Sequence, residues 1–314
     1  MFERIVSALA NYHVAVEPDQ NTPEWWAGAP SVCTYDDGFY LAVRMREGDS
    51  PRGKRGYENR IYRSADGLSY EPVKSLHRDE VGIPGFERPS LVRDPKTGKY
   101  RIYTCSGFDD GVWGLIKFED ADSPEKIDPK AWKVILRPQP IKTDKLGWIE
   151  VSGYKDPFVF HDGDTWHMLV IGYDRLERAY HFVSNDGEDW QPVGDGNPIL
   201  ENAGWHNCFT RPACAFPMAI GWMVVYEGSH ITWRDPSYNI ATGLAYSPDL
   251  RTFIDLTPSA PLLKSTTPGD YHTWRYSHWM NIGADMWVWF EATRPNTTNE
   301  TRVARFPADW ARVK

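Results

Sequence analysis

Apolar runs of five to seven residues, separated by Gly, Asp, Asn and Pro, recur along the chain from Pro30 onward. FYLAVR, YRIYTC, WHMLVIG, GWMVVYE and MWVWFE are the clearest of them. Their length, alternation and punctuation predict strands rather than helices. Only residues 2–11 carry a helical pattern.

The runs belong to a larger repeating unit, and a period of this kind decides the architecture. Each unit has a Pro, an apolar strand, a polar turn and a second, aromatic-rich strand. A third strand follows and ends in Ser-x-Asp-Gly or a relative, and an aromatic residue opens a fourth. The first unit runs from Ala29-Pro30 through Asp37-Gly38 and FYLAVR to Ser64-Ala65-Asp66-Gly67 and Tyr70. A second begins at Arg88-Pro89 and reaches GLIKFE and Trp132; a third begins at Asp156-Pro157 and passes through HFVSNDG to Trp190. The fourth leads from Arg211-Pro212 through TGLAYSPD to Phe253, and the last from Ser277-His278 through TRVARF to Trp310. The pattern predicts an all-β chain, a five-bladed β-propeller of four-stranded antiparallel blades. Residues 1–24 are expected as an N-terminal appendage and residues 25–314 as a single propeller domain. Because Trp310-Ala311-Arg312-Val313 matches Trp190-Gln191-Pro192-Val193, no N-terminal strand is expected in the last blade. Trp166, Trp222 and Trp287, like Trp132, Trp190 and Trp310, recur at matching positions and are expected to pack between blades.

Composition narrows the partners. Aromatic residues make up 14% of the 314 positions, including 15 Trp, enough for extended packing surfaces or a platform for flat ligands. A net charge of −8 argues against general nucleic-acid binding. No stretch approaches the roughly 20 apolar residues that span a bilayer, so no membrane partner is expected. MFERIVSALANYHVAV lacks the features of a secretory leader. A cytoplasmic location fits, and a secreted protein with its signal removed fits the same sequence. Cys33, Cys105, Cys208 and Cys214 show neither a CxxC pair nor zinc spacing, and are expected as buried free thiols.

In an antiparallel hairpin the start of one strand and the end of the next lie together. The strand starts supply Glu87, Arg88, Asp156, Arg211 and His278, and the second-strand ends supply Arg44, Glu227 and Glu291. All are expected at one mouth. Glu227 and Glu291 hold equivalent places after apolar runs, where a buried, unpaired carboxylate is costly. Salt bridges to neighbouring arginines are the bland alternative for both. Segments carrying Trp25-Trp26, Phe86, Trp148, Trp205-His206 and Trp274 precede the first strands and would ring the same mouth, as sugar platforms or as plugs. Arg44, Arg88 and Arg211 could grip an anionic group or neutralise Glu87, Asp156 and Glu227.

With these features the chain resembles the five-bladed propeller glycoside hydrolases, a group that includes arabinanases, β-xylosidases, fructosidases and mannoside phosphorylases. The resemblance covers residues 25–314. It rests on the blade count, on Lys155-Asp156-Pro157-Phe158-Val159-Phe160, on Asn197-Pro198-Ile199-Leu200, and on the turns at 64–70 and 184–190. It implies an acidic residue at the start of the first and third blades and a Glu at the fourth. Asp156 matches the third, whereas Ala29 and Arg211 stand at the other two. Either the acids have moved, or the chain is a distant branch, or it has lost hydrolytic activity. For Asp156 the resemblance implies holding the acid's pKa and orienting the sugar. It also implies a cation near His278 in some members, but no Asp-x-Asp loop or His pair supports a metal, and no cofactor is expected.

Glycosidic cleavage needs one protonated and one ionised carboxyl. The expected catalytic residues are Asp156, Glu227 and Glu87, with Glu227 as proton donor. The expected substrate-binding set is Arg44, Arg88, Arg211, Trp25, Trp26, His206, His278 and Glu291. The leading reading is therefore a glycosidase acting on a small glycoside or oligosaccharide chain end. A non-catalytic carbohydrate-binding propeller stands against it, as does a phosphorylase or sialidase-like enzyme for an anionic sugar.

Overall fold

The computed structural model describes residues 2–308 apart from 36–37, 52–53, 109, 139, 144–146, 234–238, 266 and 268–272; the side chains of 140–150 are also outside the description. Asp37 and the segment Trp310 to Val313, on which part of the repeat was read, therefore lie outside the described residues. The chain is nearly all β. It opens with helix α1 (Phe2–Leu9) and strand β1 (Tyr12–Val16). Successive antiparallel meanders follow. The first comprises β2 (Trp26–Tyr35), β3 (Gly38–Arg46), β4 (Gly56–Ser64) and β5 (Glu71–His77). After the short helix α2 (Arg78–Val81), the second comprises β6 (Ser90–Arg93), β7 (Tyr100–Gly107), β8 (Trp113–Phe118) and β9 (Trp132–Leu136). A hairpin of β10 (Pro140–Thr143) and β11 (Gly147–Glu150) leads to the third. This one contains β12 (Gly153–Asp162), β13 (Thr165–Tyr173), β14 (Glu177–Ser184) and the short β15 (Gln191–Pro192). The fourth is β16 (Phe209–Pro217), β17 (Trp222–Ser229), β18 (Ala241–Ser247) and β19 (Ile254–Asp255). The last is β20 (Trp274–Ile282), β21 (Asp285–Thr293) and β22 (Asn299–Pro307).

Apolar runs form the second strands because those strands are buried on both faces, as in β3, β13, β17 and β21. The outer strands β5 and β9 are largely exposed and correspondingly polar. Neighbouring meanders touch through single parallel pairings, Gly153 with Trp113, Glu177 with Phe209, Ile240 with Thr273, and Trp26 with Asn299. Between the first two, Phe86 N–H donates to the Gly56 carbonyl at 2.7 Å. Aromatic packing crosses the same seams: Trp287 lies 5.4 Å from Phe39, and Trp190 meets Tyr103 edge-on at 6.2 Å. The Ser-x-Asp-Gly turns are built alike. Ser64 and Ser184 hydroxyls accept the Gly67 and Gly187 N–H, while Asp66 and Asp186 accept the next two amides. All four cysteines are buried, and none forms a disulfide among the described residues.

The N-terminus corrects the sequence reading. Instead of an appendage that adds no strand, the segment provides β1, which pairs antiparallel with β22, Tyr12 opposite Ala304 and Val16 opposite Thr301, and so supplies the outer strand of the last meander. An exposed β22 edge would leave a row of backbone groups unpaired, and YHVAV has the alternation to cover it. Arg302 stacks on Tyr12 at 4.1 Å, and Ile5 and Leu9 of α1 are fully buried. Val16→Ala is accordingly expected to cost about 2 kcal/mol in denaturant unfolding. A loss below about 0.5 kcal/mol, the size usual at exposed positions, would show that β1 is held only loosely.

Candidate functional site

The first strands of the meanders share a kink, and the site grows from it. Pairing between first and second strands slips at Gly28/Ser31, Lys155/Phe158, Pro212/Cys214 and Arg275/His278. At three of these bulges a non-glycine residue takes the left-handed region: Ala29 (φ 54°), Asp156 (φ 57°) and Tyr276 (φ 52°). Such a conformation costs on the order of 1 kcal/mol and turns the residue's N–H away from the ladder. Each N–H then needs another acceptor. In every case it comes from the second strand of the preceding meander. Ala29 N–H donates to Glu291 Oε2 at 2.9 Å, Tyr276 N–H to Glu227 Oε1, and Asp156 N–H to Cys105 Sγ at 3.2 Å. Where the fourth meander offers Pro212, which has no N–H, the corresponding second-strand residue is the apolar Ile171. Where the first meander offers Arg44, which cannot accept, Arg88 N–H turns to Asp156 Oδ1 at 3.1 Å. The carboxylates that end two apolar runs thus have a structural reason to be there.

Around these bulges lies a polar cavity of about 320 Å³. Of the expected residues, Arg44, Glu87, Asp156 and Arg211 line it. Glu87 pairs with Arg44 and is the most exposed of the candidate carboxyls. Asp156 is almost fully buried, and its Oδ2 accepts the Tyr276 hydroxyl at 3.0 Å. Lys155 and Arg211 both pair with Glu177, at the start of β14. Burial opposes ionisation of Glu177, yet Arg211 and Lys155 bring its carboxyl down to about 2.

Glu227, Glu291 and Arg88 sit one layer behind the lining, each with no exposed surface. Burial pushes the Glu227 carboxyl up to about 7 against the pull of Arg88, Arg211 and Arg275, and its Oε2 has no hydrogen-bond partner among the described residues. Glu291 is held differently. Burial works against its charge too, but Arg275 and Arg44 together with Asn299 keep it below the usual carboxylate range. Arg275 donates to it at 2.9 and 2.7 Å and Asn299 at 2.6 Å. The Arg88 guanidinium lies 5.5 Å from the Phe158 ring and 5.8 Å from Tyr276, with none of its three nitrogens partnered among the described residues.

Trp25, Trp26, His206 and His278 are not part of the lining either. His278 follows the bulge and faces a second cavity of about 910 Å³ at the other end of the first strands, bounded by Phe158, Phe216, Trp222 and Trp279. There it accepts the Val32 N–H at 3.0 Å, and burial beside Arg88 pushes its imidazole down to about 3. His206 is buried between Trp205 and Tyr226 and bonded to Thr210 and Asp255 at 2.9 and 3.2 Å. Three of the aromatic segments prove to be plugs: Phe86 is core, Trp205 stacks on Tyr226 at 5.5 Å, and Trp274 on Phe290 at 4.5 Å. Trp25 is half-buried beside Tyr57, and Trp26 lies under Arg46 and Arg275. The Trp148 side chain lies outside the description. Sequence reasoning missed Arg46, Arg55, Trp113, Lys155, Arg275 and Tyr276, all of which line the cavity. Arg275 and Tyr276 were within reach of the repeat, since the last unit was started at Ser277, two residues after the strand's paired Arg275. Among the described residues no group of three or more His, Cys, Asp and Glu is placed to hold a metal ion.

The fold has known counterparts. A structure described as a glycoside hydrolase superposes with a TM-score of 0.71 at 17% identity, covering 97% of this chain and 94% of its own. A glycosyl hydrolase from Bacteroides ovatus gives 0.67 at 14%, covering 95% and 94%. The β-1,2-mannobiose phosphorylase from Listeria innocua, in complex with β-1,2-mannobiose, gives 0.64 at 11%, covering 94% and 93%. The chain has the fold of these carbohydrate-active proteins over nearly its whole length. No protein-family model matches it, and no curated protein does.

Proposed function

We propose that the chain is a five-bladed β-propeller enzyme that hydrolyses a glycosyl bond of a small carbohydrate, with an anionic group on that substrate. The meanders are read as blades around a central funnel whose mouth is the polar cavity. One observation carries the reading most. Asp156, strained at its bulge and fixed by Tyr276 and Arg88, shares that cavity with the partly exposed Glu87, on a fold found in glycoside hydrolases. Two carboxyls facing one pocket are what glycosidic cleavage requires.

The hydrogen bonds suggest how the roles divide. Both Asp156 oxygens accept hydrogen bonds, from the Arg88 N–H and the Tyr276 hydroxyl, which fixes the carboxyl in the cavity and suits it to activate water or stabilise positive charge on the sugar. Glu87 pairs with Arg44 and is partly exposed, so it can reach the leaving oxygen of a bound sugar as proton donor. Glu227 has a suitable charge state but lies behind the lining with its Oε1 on the Tyr276 N–H, so we assign it to holding Tyr276 in place.

A panel of aryl glycosides and short oligosaccharides, with and without inorganic phosphate, tests the proposal. Release of reducing sugar without phosphate is the expected result. Turnover only with phosphate would make the enzyme a phosphorylase, and saccharide binding without turnover would leave a carbohydrate-binding propeller.

A further inference from the structure

Six of the ten side chains lining the polar cavity are cationic and two are acidic. Most of the cations are answered: Arg44 by Glu87 and Glu291, Arg275 by Glu291, Lys155 and Arg211 by Glu177, and Arg55 by Glu24 at 2.5 Å. Arg46 is the exception. It forms no ion pair among the described residues, its guanidinium lies flat over the Trp26 ring at 3.6 Å, and Arg275 approaches the same ring to 4.7 Å. Its Nε is buried without a hydrogen-bond partner among the described residues, as are Arg44 Nε and Arg211 Nη1. Burial first, and then the neighbouring Arg44, Arg275 and Arg55, lower the Arg46 pKa to about 9.

Crowded cations with unused donors are unfavourable in the empty protein and become favourable when an anion arrives. The stacking on Trp26 matters for the kind of anion. A guanidinium pinned flat against an indole presents a fixed planar fork, which matches the two coplanar oxygens of a carboxylate. The cations come from β3, β12, β16 and β20 and from Arg55 just before β4, so an anion in the cavity meets them from several strands.

We infer that Arg46, fixed on Trp26 and backed by Arg275 and Arg44, binds the carboxylate of a uronic acid unit in the polar cavity. This inference rests on the carbohydrate reading of the site, and its test reads binding so that the two can fail separately. Calorimetry on the full chain would compare methyl glycosides of glucuronic and galacturonic acid, the matching neutral glycosides, and inorganic phosphate. The uronides are expected to bind and the neutral sugars not. Arg46→Gln should weaken uronide binding at least about 30-fold with an unchanged or higher thermal midpoint, because it removes crowding. Arg46→Lys keeps the charge but not the fork, so it should fall between the two and serves should the Gln variant misfold. Phosphate binding without uronide binding, equal binding of neutral and charged sugars, or full affinity in both Arg46 variants would overturn the inference. Uronide binding that depends on Arg46, with no turnover of any glycoside, would uphold it while rejecting the enzyme.

Discussion

Asp156→Asn is expected to cut turnover at least about 100-fold on whichever glycoside the panel identifies, with little change in thermal midpoint. Asn keeps an oxygen for the Arg88 N–H or the Tyr276 hydroxyl but carries no charge. Glu87→Gln should produce a loss of similar size, since it removes the more exposed of the two carboxyls lining the cavity among the described residues. The contrast with Glu227→Gln is what makes the assignment testable. Gln at 227 can still accept the Tyr276 N–H, so turnover should stay within about tenfold of normal. A retained rate in the Glu87 variant together with a lost rate in the Glu227 variant would return the acid to Glu227. The pH profile gives a second readout. If Glu227 were the acid, the alkaline limb of the rate would lie near its pKa of about 7 and vanish in the Gln variant; under the assignment proposed here that limb persists.

Why the sequence yielded the strand order but only part of the site follows from where each kind of information lives. Apolar runs are long-range signals, repeated in every meander, so the strands they form were readable. β1 was not, because its place depends on the unpaired edge of β22 nearly three hundred residues away, and the match between Trp310-Val313 and Trp190-Val193 offered a local substitute. Asp156 was readable from its Asp-Pro and its resemblance. Glu227 and Glu291 were correctly singled out as unusual, but the reason, an N–H freed at a bulge in the next meander, exists only once the meanders are packed. The plug aromatics Phe86, Trp205 and Trp274 look in sequence the same as Trp26; only the packing separates them. Arg46 and Lys155 were passed over because surface-type residues beside strands are usually solvated, and nothing local marks a crowded cation.

The largest stability effect is expected at Glu291. Its carboxylate, fully buried, satisfies the Ala29 N–H, Asn299 and Arg275, and reaches Arg44 at 3.5 Å. Glu291→Ala would remove the buried carboxylate that Arg275, Asn299 and a strained backbone amide all donate to, at about 3–5 kcal/mol, in denaturant unfolding. Acid should do part of the same work. Glu291 and Glu177 have folded-state pKa values below their ordinary ones, so their contribution is present above about pH 4.5 and fades as pH falls through the folded values. Glu227 runs the other way. Its folded pKa of about 7 lies above the ordinary 4.5, so the folded state favours its proton, and that contribution is lost as pH rises through 7. Between pH 5 and 8 the wild-type chain should therefore lose stability relative to Glu227→Gln, by on the order of 3 kcal/mol, while Glu291→Gln should be the less stable chain throughout that range. Parallel pH curves for wild type and Glu227→Gln would mean that Glu227 is ionised in the fold and paired with Arg88, and the unpartnered Oε2 would then need a different explanation.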